Sequence, residues 1–529
     1  MRDGLGLRRT DAVIALAAAL SLLAYVIGAG GEGFPLDDGW IHQVYARNLA
    51  ERGEWAFVPG MPSAGSTAPL WTVMLALGYW AGVPYTLWTW GLGALCLAAM
   101  GMLGAHAAER LFPGCPHVGL LTGVTIALEW HLVWAAASGM ETALFGALSL
   151  GVVLLALRSL TPSPPLPQRG EGEQRRGTAR CASTADDHMA ARARVLCGLA
   201  MGLVGGALTL TRPEGVGLVG LAGLLALMGR RRRALPWAGG VAAGWLIGAT
   251  PGALLNLSVS GSALPNTFSA KQAEYVELLT APYPQRLLDV ITPLTAGVGL
   301  ALLPGLVWAV VDRVRRLRAE RGAAMALLPV GWALALLMLY AARLPVTYQH
   351  GRYVIPALPH VIVYSVGGTM ALLRAGRGRR WSRVLSRALA LVAVVVLVVF
   401  WIVGARTYAT DVAIIQTEMV AAARCLAERI PPEELLAVHD IGAVGYFAPR
   451  PILDLAGLVN AEVIPIIRDE NALIALMEAR GSAYLMTFPG WYPRIVADPR
   501  VRLVYQTDGT APASGGENMA IYRLEWGGG

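Results

Sequence analysis

Residues 68–82, APLWTVMLALGYWAG, decide how the rest of the chain is threaded. The segment is apolar, yet as a helix rising 1.5 Å per residue it reaches only about 22 Å. That is short of a hydrocarbon core roughly 30 Å thick. Trp71, Tyr79 and Trp80 favour the membrane–water interface. Read as a helix lying on the membrane surface, it leaves eleven candidate spans. These are about 11–30, 86–107, 117–136, 141–158, 195–211, 213–229, 234–257, 296–312, 323–342, 354–373 and 388–404. With the N-terminus inside, 26 arginines fall in cytoplasmic segments against seven basic residues in the opposite loops. That is the positive-inside distribution. Read as a span, 68–82 would invert every later loop and turn 23 of those arginines outward. The C-terminus is therefore expected outside.

Composition agrees with this reading. The 529 residues are 55% hydrophobic and only 15% charged, with a mean hydropathy of +0.52. An ordinary soluble chain is about 25% charged. Disorder throughout and a string of soluble domains are both excluded. The net charge of +8 is largely a topological address, not a nucleic-acid surface. Cysteines 96, 115, 181, 197 and 425 show no zinc spacing, and only Cys425 would face an oxidising compartment, so no intramolecular disulfide is expected. Arg8 and Arg9 precede the first span as in a signal peptide. No convincing cleavage site follows, so the segment is read as a retained anchor.

The chain divides into a helical membrane module, 1–404, and a C-terminal extracytoplasmic α/β domain, 405–529. Within the module, 31–85 is the first outer loop with its surface helix. Residues 159–194 contain a Pro-, Gly- and Arg-rich run expected to be a disordered cytoplasmic loop, and 258–295 is a long outer loop. After 405 the pattern predicts helices at 411–429 and 472–479, and strands at 435–439, 452–455, 484–487, 501–505 and 519–524.

Polar residues gather in the outer loops. Asp37 and Asp38 open the first. Adjacent carboxylates raise each other's pKa, which suits a general base, although one of them is expected to cap the helix that follows. Glu141 in SGMET stands at a helix N-terminus, where the dipole favours it; beside Asp37 and Asp38 it would position an acceptor hydroxyl. Arg212 and Glu214 share the turn TRPEG, where they either pair or serve a substrate: Arg212 a phosphate, Glu214 the acceptor. Lys271 is the sole lysine among 43 basic residues, a hint that a compact ammonium is wanted there. Arg352 enters the outer end of the tenth span, an expensive place for a charge and a natural seat for an anionic head group. His350, two residues earlier, is a further candidate phosphate donor. No phosphate-binding glycine loop, GxSxG, HExxH or CxxC is present.

In series, DDGWIHQVYARNLAERGEWAFVPGMPSAGSTAPLW, SGMET, TRPEG, PNTFSAK and GRYVIP resemble the GT-C class of membrane glycosyltransferases. The likeness is to bacterial arabinofuranosyltransferase relatives, then to protein O-mannosyltransferases and the lipid A aminoarabinose transferase. HDIGAVGYFAPRPILDLAGL is similar to their C-terminal outer domain. The resemblance implies transfer of a sugar from a polyprenyl-phosphate carrier to an extracytoplasmic glycan, lipid or protein acceptor at the plasma membrane. It implies catalysis by Asp37 or Asp38, with Asp37 preferred, and a donor phosphate held by Arg352 and Lys271. A single displacement would invert the anomeric centre. The D-x-D spacing of metal-dependent relatives is absent, which leaves a divalent cation an open question. A transporter or lipid flippase is the competing reading. It rests on the helix count alone and would place polar groups near the bilayer midplane.

Overall fold

A computed structural model describes residues 8–160, 182–229, 231–263, 265–317, 323–376 and 380–527. Among the described residues eight helices are long and apolar enough to cross a membrane: Arg9–Gly28, Tyr85–Leu111, Thr142–Ser159, Ala191–Thr211, Ala234–Ser260, Ala324–Arg343, Tyr348–Ala375 and Arg383–Arg429. They correspond to eight of the eleven expected spans. The other three differ. The expected span 117–136 is two helices, Val118–Leu128 and Trp130–Ala137, bent by 56°. The break is at Glu129, whose extended backbone stops the first helix and whose carboxylate caps the second through the Leu132 N–H. The segment 213–229 is the shorter helix Gly215–Gly229. The segment 296–312 is divided between Val298–Ala301 and Leu303–Leu317.

The expected surface segment 68–82 forms Pro69–Trp80, 12 residues long and below the length of a span. It packs on the first-loop helix Asp38–Arg52, where Trp80 donates to the Ala50 carbonyl and Tyr79 to the Gln43 amide oxygen. The expected disordered loop is partly overturned. Residues 161–181 lie outside the described ones, but 182–194 already belong to the helix Ala182–Thr211. That stretch is alanine-rich, and alanine is the strongest helix former. The same helix packs closely on Arg231–Ser260. A Cβ at Gly202 would lie 2.2 Å from the Val241 carbonyl, and one at Gly244 2.3 Å from that of Leu199. Small residues at four-residue spacing let the two backbones meet, and this pair carries Arg212 at its end.

The strands are β1 (Ala56–Val58), β2 (Met61–Pro62), β3 (Leu436–Val438), β4 (Ile452–Asp454), β5 (Tyr484–Thr487), β6 (Val501–Gln506) and β7 (Ala520–Leu524). β1 and β2 form a hairpin after the first-loop helix. The other five form one sheet in the order β4-β3-β5-β7-β6. β3 runs parallel to β4 and β5, and β7 antiparallel to β5 and β6. Successive side chains face opposite sides. Ala437, Leu453, Leu485, Tyr522 and Leu524 pack with Leu473 and Met477 of the helix Glu470–Arg480. Leu436, Val438, Ile452, Met486 and Ile521 face the other way, into the core shared with the membrane helices and the first loop. The domain is thus docked by half of its own sheet.

A long helix carries the domain. It continues from Arg383 to Arg429 over 47 residues, through a π-turn at Gln416–Val420. Glu418 in that turn is fully buried and accepts from Thr507, Ala511, Asn518 and Met519.

Candidate active site

The first-loop helix Asp38–Arg52 places Asp38 and His42 one turn apart, on one face. Asp37, just before it, does not cap this helix; its own backbone is already helical. Instead, the Gly442 N–H donates to its Oδ2 at 2.6 Å and the Ala443 N–H to its Oδ1 at 2.8 Å. Asp37 therefore caps the short helix Gly442–Phe447 of the C-terminal domain. Burial pushes its carboxyl up to about 7, against the pull of those two hydrogen bonds, and the Asp38 charge adds to the rise. Its oxygens are occupied in holding the domain to the loop.

Asp38 faces inward to a cation instead. Arg352 Nη1 lies 2.6 Å from its Oδ2, and the Asp38 side chain keeps 28% exposure. Burial works to raise this carboxyl, but the Arg352 and Lys271 charges prevail and hold it below the ordinary carboxylate value. Arg352 follows a turn in which Gln349 and His350 adopt φ of 52° and 60°, a left-handed region costly for side-chain-bearing residues. The turn sets the guanidinium over Tyr353, 4.9 Å from its ring centre. Its Nη2 donates to the Tyr353 hydroxyl at 3.0 Å. Its Nε and Nη1 are buried and make no hydrogen bond of good geometry among the described residues.

His350 is turned elsewhere. Its Nε2 lies 2.8 Å from Asp411 Oδ2, and its ring packs edge-on against Trp130 and Trp134. The expected phosphate role of His350 does not fit, because its ring lines neither cavity described below.

Glu141 is buried and forked. Its Oε1 accepts from Arg212 Nε at 2.6 Å, and its Oε2 lies 3.3 Å from His42 Nε2. Burial would raise the Glu141 carboxyl; Arg212 and His42 hold it well below the usual range. Arg212 also donates to the Thr142 hydroxyl at 3.1 Å. Glu214 is 3.9 Å from Arg212 and accepts from the Tyr340 hydroxyl at 2.5 Å. The expected Arg212–Glu214 pair is thus secondary to Arg212–Glu141. Lys271 Nζ donates to Glu274 Oε2 at 3.1 Å. Burial alone would lower the ammonium, but Glu274 leads a set of groups that raise it.

Two cavities meet at these residues. The first, about 350 Å³, is lined by Asp38, His42, Glu141, Arg212, Lys271 and Arg352 with an apolar wall that includes Met140, Phe268 and Leu339. The second, about 560 Å³, lies between the first loop, the C-terminal end of the helix Asn266–Glu274 and the C-terminal domain. Asp38, Lys271 and Arg352 line both.

This arrangement sits in a fold with solved counterparts. ArnT from Cupriavidus metallidurans, in a structure bound to undecaprenyl phosphate, superposes with a TM-score of 0.58 at 15% identity, covering 98% of each chain. The oligosaccharyltransferase of Archaeoglobus fulgidus superposes with a TM-score of 0.61 at 12% identity, over 90% of this chain and 69% of that one. The chain has the GT-C fold. By sequence, residues 407–522 match the model of a domain of unknown function, DUF8728. No curated protein matches the chain.

Four cavity residues escaped the sequence reading: His42, Glu274, His439 and Asp440. His439 Nδ1 lies 2.9 Å from the Tyr492 hydroxyl and its Nε2 3.6 Å from Glu274. Burial lowers its imidazole to about 4. Burial, then Asp37 and Asp38, push the Asp440 carboxyl well up. The signal that could have found the last two is an His-Asp pair directly after a strand of a parallel sheet. Among the described residues no group of three or more His, Cys, Asp or Glu is arranged to hold a metal ion.

Proposed function

We propose that the chain is a glycosyltransferase that moves a sugar from a polyprenyl-phosphate donor to a hydroxyl acceptor. The observation that carries this reading is the Asp38–Arg352 ion pair where two cavities meet. The first cavity, with its apolar wall and buried arginines, suits the phosphate and first isoprenes of a lipid carrier. The second suits a polar acceptor. The solved relatives fit this: one ArnT structure holds undecaprenyl phosphate, and one of the archaeal enzyme holds a dolichol-phosphate.

Asp38 acts as the base in this proposal, in preference to Asp37, whose oxygens are engaged by backbone N–H groups. A donor phosphate binding to Arg352 and Lys271 draws Arg352 from Asp38 and makes the carboxylate more basic. Asp38 then takes the proton of the acceptor hydroxyl as its oxygen attacks the anomeric carbon. The bond from that carbon to the phosphate oxygen breaks, and the polyprenyl phosphate leaves with both electrons, its charge met by Arg352 and Lys271. One displacement inverts the configuration. Glu141 orients His42 and Arg212 rather than the acceptor, and Glu214 fixes Tyr340. The reaction takes place on the extracytoplasmic face of the plasma membrane, where a lipid-linked donor meets envelope acceptors.

The test is transfer by the purified chain from a synthetic polyprenyl-phosphate sugar. Loss in Asp38→Asn with donor binding intact is expected. Full activity in that variant would remove Asp38 as the base.

A further inference from the structure

The C-terminal sheet has a crevice of its own. β3 has parallel neighbours on both sides: the chain passes from β3 to β4 on one side, then through Glu470–Arg480 to β5 on the other. Connections that leave a sheet in opposite directions open a crevice at the carboxyl ends of the strands, where ligands of open α/β sheets bind. His439 and Asp440 follow β3 directly, and Trp491 and Tyr492 follow β5. All four line the second cavity, facing Asp38 and Lys271.

The chemistry of this wall selects its ligand. The N–H groups of Gly442 and Ala443, the natural seat for an anion, are already taken by Asp37. Five carboxyls, Asp37, Asp38, Glu274, Asp440 and Glu470, line the cavity against three cations, Lys271, Arg352 and Arg468, each already paired with a carboxylate, so a second anion is disfavoured there. Among the described residues Asp440 makes no side-chain hydrogen bond or ion pair, although it stands beside two other carboxyls. Trp491 is 46% exposed, its ring edge-on to His439 at 4.8 Å and to Phe488 at 5.0 Å. Exposed aromatic rings interleaved with carboxyls suit a polyhydroxyl ring: its C–H groups lie on the negative face of the aromatic, and its hydroxyls bond the carboxyls.

We propose that the C-terminal domain forms the acceptor subsite and that the acceptor is a neutral saccharide, its ring against Trp491 and a hydroxyl held by Asp440. This rests on the glycosyltransferase reading and adds the class of acceptor and a role for the domain spanning 407–522. Asp440 and Asp38 would then bracket the same sugar, one positioning it and the other deprotonating it.

The test uses the full chain in nanodiscs with two probes: an array of neutral oligosaccharides, and undecaprenyl phosphate. The wild type should bind at least one saccharide class. Asp440→Asn and Trp491→Ala should each weaken that binding by about tenfold or more, with undecaprenyl phosphate affinity held within about twofold. Both variants should melt as the wild type does. The proposal is overturned if the wild type binds no saccharide, if both variants bind as tightly as it does, or if they lose both probes alike. A wild type that binds saccharide but transfers nothing from a polyprenyl-phosphate sugar would overturn the transferase reading and leave the saccharide site standing.

Discussion

Replacing Arg352 by glutamine should separate donor binding from every other property of the site. The guanidinium is buried, gives Nη2 to Tyr353, and holds Nε and Nη1 without a well-formed hydrogen bond. A phosphate can take both. Each charge-assisted bond contributes about 1.5–3 kcal/mol. Part of that gain is offset, because Asp38 gives up its own contact with Arg352 as the phosphate arrives, at a cost of about 1–2 kcal/mol. The net loss in Arg352→Gln is about 2–4 kcal/mol, or about 30- to 1000-fold in Kd. Titration of nanodisc-embedded protein with undecaprenyl phosphate measures it. Arg352→Lys should fall between, about tenfold weaker than wild type, because an ammonium keeps the charge and loses the fork. Raising the salt concentration should change the wild-type affinity little, as the pair is shielded from solvent. Removing Arg352 also leaves Asp38 unpaired, so the double variant Asp38→Asn/Arg352→Gln serves as control. It should bind as weakly as Arg352→Gln and melt no lower. A Kd within about threefold of wild type in Arg352→Gln would refute the assignment of this arginine to the phosphate.

Other outcomes follow from the same geometry. Glu141→Gln leaves Arg212 buried without its countercharge and should lower stability by about 3–5 kcal/mol, read as a fall in melting temperature in detergent; adding Arg212→Met should recover part of the loss. Asp37, with a carboxyl raised from 3.8 to about 7, disfavours the folded state where it must ionise. Its contribution is fully present below about pH 4 and is lost as pH rises through about 7. Melting curves across that window should slope downward in the wild type and flatten in Asp37→Asn. Gly442→Ala would bring a Cβ to 2.0 Å from the Asp37 carbonyl, so the domain should lift from the first loop, seen as faster amide exchange at Ala443 with the sheet still protected.

What could be read in advance depended on how local the cause was. The five sheet strands stand within a residue or two of their expected limits, because short apolar runs such as β3, β5 and β7, buried on both faces, are a property of neighbouring residues. Eight spans were equally visible, since length and apolarity suffice. The bend inside the expected span 117–136 turns on a single residue: Glu129 interrupts the helix, and a lone carboxylate in an apolar run is its signal. Residues 182–194 were misread because polarity outweighed their alanine content. Within the site, residue types were legible and partnerships were not. Nothing near Glu141 announces Arg212, 71 residues away, and nothing near Asp37 announces Gly442, 405 residues away. His350 looked like its neighbour Arg352, yet the left-handed turn sends the two side chains to different surroundings.

The unbroken helix from Arg383 to Arg429 makes the second cavity a matter of phase. Its 47 residues reach about 70 Å, more than twice the roughly 30 Å of hydrocarbon. Such a helix works as ruler and protractor together. One inserted residue would raise the domain by about 1.5 Å and turn it by about 100°, carrying Asp440 away from Asp38 altogether. An insertion of seven would nearly restore the angle while lifting the domain about 10 Å. Length changes that a flexible tether absorbs without notice are therefore forbidden here, and the distance between the two carboxyls is written into a residue count.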